Sequence, residues 1–224
     1  KLLLAKLVHN LVFFNHKILY HIMQINGIMK FEIITNQNFT QCQITMAKKL
    51  SYLERHGYKM YSFQSRIRYS EVGCDKKLEL SSIIDYFQDC STFQSEDLGV
   101  GLDYVEKSNR AWLLSSWQII INDYPGLGDE ITTSTWPYGF KGIYGYRNFI
   151  IQNKQKETLA YANSIWVYID TNTGRPIRVS PDLVNTYKLE EKIDMDYAPR
   201  KITIPKTLEV LTPFPVVRAN IDTN

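Results

Sequence analysis

Few residues in this chain of 224 could do chemistry on their own. The histidines are His9, His16, His21 and His56, and none follows. A histidine titrates near roughly pH 6.5 and is the usual general base of hydrolytic chemistry. The ordered patterning begins only at Met60, so that part of the chain has no histidine. The cysteines are Cys42, Cys74 and Cys90. An odd, sparse set argues against a disulfide framework, offers no metal-ligand spacing and fits a reducing cytosol. Cys90 lies in a helical pattern, where a thiol is a nucleophile or, more ordinarily, a small buried hydrophobe. Asp170-Thr-Asn-Thr-Gly174 resembles the opening of a calcium loop. Its glycine comes one position early and the distal glutamate is missing, so a hairpin turn is expected. Asp222-Thr-Asn224 reads, by residue type alone, as a turn. Trp112, Trp117, Trp136 and Trp166 could wall a pocket or fill a core. Lys141, Arg147, Arg175 and Arg178 are cations that face solvent or an acidic partner.

These residues need a scaffold, and composition bounds it. Hydrophobic residues are 44% and charged residues 22%, ordinary for a globular chain large enough to bury a core. Aromatic residues reach 13%, which suits β-structure. The net charge of +3 hides two unlike parts: residues 1–59 carry +6 and the remainder carries −3. The basic balance therefore belongs to the N-terminal stretch and is no nucleic-acid footprint of the patterned region. Uncharged runs in residues 1–59 are too short to span a bilayer and carry polar groups. An appended domain, a leader and translated upstream sequence compete there. The bias to Lys, Asn, Ile, Phe, Leu and Tyr favours the last, or a disordered extension, with Met60 as the natural start.

From Met60 the patterns are clear. Tyr61–Tyr69 alternates as a strand, and Val72–Lys77 reads as a turn. Ser81–Leu98 reads as a helix, capped by Ser81 or Ser82 and stopped at Gly99. Leu102–Lys107 could add a short turn. Strands follow at Trp112–Asn122, Ile131–Trp136, Tyr144–Ile151 and Leu159–Ile169, separated by short turns. Arg175–Val179 could pair back. One long helix followed by an antiparallel meander implies an α+β hotdog fold: a curled sheet with the helix on its concave face. Prolines then interrupt residues 181–215, which read as a linker crossing a surface, with Glu190-Glu191-Lys192 as a solvated charge run. Residues 216–224 start a new strand. The expected organisation is an upstream extension (1–59), a hotdog domain (60–180), a linker (181–215) and the truncated start of a second domain (216–224).

Specific residues go further. Arg68-Tyr-Ser-Glu-Val72, Ile84-Asp-Tyr-Phe-Gln-Asp-Cys-Ser91, Trp112 with Trp117, Tyr124-Pro-Gly-Leu-Gly-Asp129, Ser134-Thr-Trp136, Tyr146-Arg-Asn-Phe149 and Ser164-Ile-Trp-Val167, followed by the Thr-Gly-Arg175 turn, stand in order. In combination they make about three quarters of the chain resemble the bacterial and plant acyl-acyl carrier protein (acyl-ACP) thioesterases. That resemblance implies two hotdog domains in tandem, the first holding the acyl chain and the second carrying an Asp-x-Asn-x-His motif. Asp222 and Asn224 match its first two members as catalytic residues, and the histidine would fall two residues past the end. The intact protein is then expected to hydrolyse fatty acyl-ACP to free fatty acid, in the cytoplasm and without a cofactor. The partner is an acyl carrier protein, with no nucleic acid and no membrane span, and a homodimer is left open. This chain alone is expected to be inactive. Phe87, Cys90, Trp112 and Trp117 are the expected acyl-contacting residues. Lys141, Arg147, Arg175 and Arg178 are the expected contacts to the acidic carrier. The rival reading is a non-enzymatic acyl-binding module or a lipid-responsive regulator, prompted by the basic N-terminal stretch.

Overall fold

A computed structural model describes residues 18–25, 28–35 and 60–200, the first two segments as backbone. Asp222, Asn224, Cys42, and the expected linker end and second-domain strand lie outside the described residues. In chain order the elements are β1 (Ile18–Ile25), β2 (Ile28–Thr35), β3 (Tyr61–Arg66), a 3₁₀ turn (Tyr69–Glu71), α1 (Leu80–Asp97), α2 (Leu102–Ser108), β4 (Arg110–Ile121), β5 (Glu130–Lys141), β6 (Tyr144–Asn153), β7 (Thr158–Asp170), β8 (Arg175–Pro176) and α3 (Pro181–Thr186).

The sheet runs β2-β1-β4-β7-β6-β5-β3, with β8 beside β7. The paired strands are antiparallel, as the short turns require. The β1–β2 hairpin, which the composition of residues 1–59 does not announce, adds to β4 through Leu19–Met23 against Ser116–Ile120. Strand β3 is shorter than the expected Tyr61–Tyr69 and stops at Arg66. Ile67 then turns inward, 2% exposed, and its amide bonds the carbonyl of Asp129. Tyr69 therefore lies in the 3₁₀ turn rather than the strand.

Helix α1 buries Ile83, Tyr86, Phe87, Cys90, Ser91 and Gln94, one face at helical spacing. Its start differs from expectation. The N-cap is Glu79 without a side-chain cap bond, and Ser81 and Ser82 lie inside the helix. Burial decides this: Leu78 and Leu80 are 1% and 2% exposed, and seating both brings the chain in before the serines. The helix end is as expected. Gly99 takes φ +72°, and the amides of Gly99 and Val100 return to the carbonyls of Glu96 and Ser95, a Schellman closure.

Phe87 reaches from α1 to the sheet, with ring centroids 5.8 Å from Trp117 and 5.2 Å from Phe149. The register pairs Trp117 with Ser164 and Phe149 with Ala162, so these four residues share the inner face. The outer face carries Ile120, Trp136, Ile150 and Tyr161, which pack with Ile193 and Met195. Residues 188–198 thus form a strap over that face. Asn148 fixes it: its Oδ1 accepts from the amide of Ile193 (3.1 Å) and the hydroxyl of Tyr197 (3.1 Å). Gln118 donates to the carbonyl of Asp196 and accepts from the amide of Ala198. The Trp136 indole donates to the carbonyl of Glu191. Before the strap, Ser180 caps α3 and Pro181 opens it, a short helix inside the expected linker. The expected solvated run is not wholly solvated, because Glu190 is 7% exposed beside Lys188.

Glu71 ties the 3₁₀ turn to α1. Burial opposes its ionisation, but bonds from the Arg68 backbone and side chain and from the Tyr86 hydroxyl outweigh it and hold the carboxyl below the usual glutamate value. A depressed carboxyl contributes stability above the unfolded-state pKa and loses it as pH falls through the folded one. Chemical denaturation of the wild type should show stability falling on acidification through that range. Glu71→Gln should be less stable at neutral pH, with a flatter acid limb.

Candidate acyl-binding interior

The inner face of the sheet is assembled from alternate residues of four strands. β4 supplies Trp117, Ile119 and Ile121. β6 supplies Arg147, Phe149 and Ile151, and β5 supplies Thr133 and Thr135. The long middle strand β7 supplies Ala160, Ala162 and Ser164, in register with them. Small residues thus stand between two rows of large ones, opposite Ile83, Phe87 and Cys90 of α1. This makes a buried apolar and aromatic layer between the helix and the sheet.

Phe87, Cys90 and Trp117, three of the residues expected to contact an acyl chain, are buried in this layer at 0%, 0% and 1% exposure. Trp112 does not join them. The register sets Trp112 opposite Tyr168 and Trp117 opposite Ser164, so the two tryptophans share a face but lie four residues of β7, about 13 Å, apart. Trp112 packs instead with Tyr168 (4.8 Å) and Phe140 (5.7 Å) in a second cluster, together with Val179 and Leu183. Gly145 makes that possible: a Cβ there would lie 3.1 Å from the Trp112 ring.

The Cys90 thiol is not a nucleophile. Burial pushes it up to about 12, and its Sγ points to the Thr133 carbonyl at 3.5 Å. Asp170 is held by its own turn, its Oδ1 accepting from the amide and hydroxyl of Thr173 at 2.8 and 3.0 Å. Among the described residues no cluster of His, Cys, Asp or Glu could hold a metal. Nor, among them, is any helix long and apolar enough to cross a membrane.

Of the expected carrier contacts, Lys141, Arg175 and Arg178 are exposed. They lie at one end of the sheet: Lys141 closes the β5–β6 hairpin, Arg175 pairs with Asp170, and the Val179 amide bonds the Gly142 carbonyl. Arg147 corrects the expectation. It shares the parity of Phe149 and Ile151 and points inward, 8% exposed. Its Nη1 bonds Gln94 of α1 and the Thr135 hydroxyl (3.2 Å), and its guanidinium lies 5.6 Å from the Tyr187 ring. Alternation could not reveal this, because Arg147–Gln152 are all buried. Gln94, Thr135 and Tyr187 escaped sequence reasoning, and only the inward arginine picks them out. A separate hollow of about 490 Å³ lies between Arg66, Glu130 and Lys154. The Lys154–Glu130 ion pair (2.8 Å) makes it polar and unsuited to an alkyl chain.

A helix enclosed by a curled antiparallel sheet, with an apolar layer packed between them, defines the hotdog class of domains. The profile of the acyl-ACP thioesterase N-terminal domain matches residues 58–187, and the chain belongs to that family. A palmitoyl-acyl carrier protein thioesterase of Cuphea hookeriana is 24% identical over 128 residues, 53% of this chain and 30% of the relative. A Lactobacillus plantarum structure, provisionally described as an oleoyl thioesterase, superposes with TM-score 0.60 at 29% identity, covering 66% of this chain and 58% of that one. The 12:0-ACP thioesterase of Umbellularia californica shares the fold, with TM-score 0.57 at 17% identity over 66% of this chain and 61% of that one. The chain thus spans about 30% of the length of the curated relative.

Thiol mapping checks the interior. Under native conditions near neutral pH, iodoacetamide should label exposed Cys74 and leave Cys90 unmodified until denaturant is added. Rapid native labelling of Cys90 would show that the interior beneath α1 is open to water.

Proposed function

We propose that the longer protein to which this domain belongs releases free fatty acid from acyl-ACP by attack of water on the thioester. This domain holds the acyl chain beneath α1. The observation that carries the reading is the family profile over residues 58–187, which covers the whole apolar layer packed beneath α1. The chemistry needs a general base and donors aimed at the oxyanion. Residues 60–200 contain no histidine, and the Cys90 thiol is protonated at neutral pH. The reacting groups therefore come from outside the described domain. Asp222 and Asn224 are proposed as members of that centre, Asp222 orienting the base and Asn224 donating to the oxyanion.

Phe87, Trp117 and Cys90 contact the acyl chain in this reading, and Trp112 acts at one remove by packing the end of the sheet. Lys141, Arg175 and Arg178 present positive charge to the acidic carrier. The sparse cysteines support a reducing cytosol as the site of action.

Two measurements test this. The 224-residue chain should release fatty acid from acyl-ACP at no more than the uncatalysed rate, whereas the longer protein should turn it over. In the longer protein, Ala162→Val should shift preference toward shorter acyl chains by adding bulk to the layer beneath α1. An unchanged chain-length profile, with the fold intact by circular dichroism, would place the acyl group elsewhere.

A further inference from the structure

The sheet ends on β2 at one side and β3 at the other, and both carry features that keep a sheet edge from pairing with another molecule. β3 is short, and its exposed positions are Ser62, Gln64 and Arg66. β2 holds Lys30 and Glu32 in mid-strand. Without the β1–β2 hairpin the outer strand would be β4, which is not protected in this way. β4 is 12 residues long, has no charged residue from Ala111 to Ile121, and is buried from Ser116 to Ile121. Its one register irregularity, between Leu114 and Ser116, lies ahead of that buried stretch. Bare, it would be a long uncharged template for strand addition.

The hairpin suits that edge by sequence as well as by register. Ile25 pairs with Ile28, so Asn26-Gly27 is the connection, a dipeptide strongly favoured in two-residue hairpin turns. The strand set against β4 has no Lys, Arg, Asp or Glu, and the hairpin's two such residues fall on the outermost strand. β1 covers Ser116–Ile120 with Leu19–Met23. A two-stranded hairpin is marginal in water by itself and gains stability from a third strand. Seating on β4 therefore supports the hairpin, and the hairpin in turn closes β4.

We infer that residues 18–35 are a guard on the β4 edge. While the hairpin is seated the chain stays single. When it is released, a second copy of this chain pairs there, β4 against β4. β4 already takes antiparallel partners on both sides, β7 and β1. Antiparallel pairing of a strand with its own copy closes about a two-fold axis, so association stops at two chains. Leu113, 50% exposed and outside the stretch that β1 covers, gives the incoming copy its first apolar contact.

The test uses the full 224-residue chain, its mass read by light scattering on a sizing column over a range of concentrations. The wild type should run as one copy. Ile22→Pro removes a backbone donor from the middle of β1, opposite Trp117. It should double the mass while the near-ultraviolet circular dichroism of the tryptophans is kept. Adding Leu113→Lys, a charge on the bared edge, should return the mass to one copy. A second measurement does not depend on Ile22→Pro folding. With Cys42→Ser and Cys74→Ser in place, Met23→Cys and Ser116→Cys stand as register partners and should form an intrachain disulfide on oxidation, and the locked chain should stay single. Any of four results overturns the inference: a wild type of doubled mass, a folded Ile22→Pro chain that stays single at every concentration, a doubled mass that Leu113→Lys does not reduce, or no intrachain crosslink.

Discussion

The fold depends on keeping Phe87 dry between Trp117 and Phe149. That contact joins the long helix to the middle of the sheet, and aromatic pairs at such spacings add to the area they bury. To close around the helix the sheet must curl, and its central strands are then buried on both faces. Residues Ser116–Ile121 and Arg147–Gln152 are consecutively buried, which no two-layer sheet with a wet side could show. Something must therefore cover the outer face, and the strap 188–198 does so.

The two faces treat polar groups in opposite ways. On the outer face, Asn148, Gln118 and Trp136 each find partners in the strap's backbone. A strap without regular structure can cross a buried face only if its amides and carbonyls are satisfied there. On the inner face, the Trp117 N–H and the Thr133 hydroxyl lack partners. Each unanswered group costs about 1–3 kcal/mol in a closed core. Interiors that accept such costs tend to be the ones that receive a ligand.

Much of the scaffold was legible beforehand. The helix from its apolar spacing, its stop at Gly99, and the meander of four long strands follow from local pattern, because period and turn chemistry act over a few residues. The family motifs added the acyl-binding class of domain. Strand ends and caps were less secure. Tyr69 left its strand because Ile67 found a buried site, and Ser81 and Ser82 lost the cap because Leu78 and Leu80 had to be seated first.

Local order and class of chemistry are thus what the sequence determined: one helix, a run of antiparallel strands, and no histidine beyond His56 to act as base. Facing was decided by tertiary structure. In β6 every residue from Arg147 to Gln152 is buried, so no alternation in hydrophobicity distinguishes inside from outside. Only the register against β5 and β7 turns Arg147 toward α1 and Asn148 toward the strap. Likewise only the break in β4 turns Trp112 onto the face of Trp117, opposite Tyr168 rather than Ser164. Register is a long-range property, set by which strand pairs with which. A cation that looked like a surface contact in the sequence is therefore an interior one in the fold.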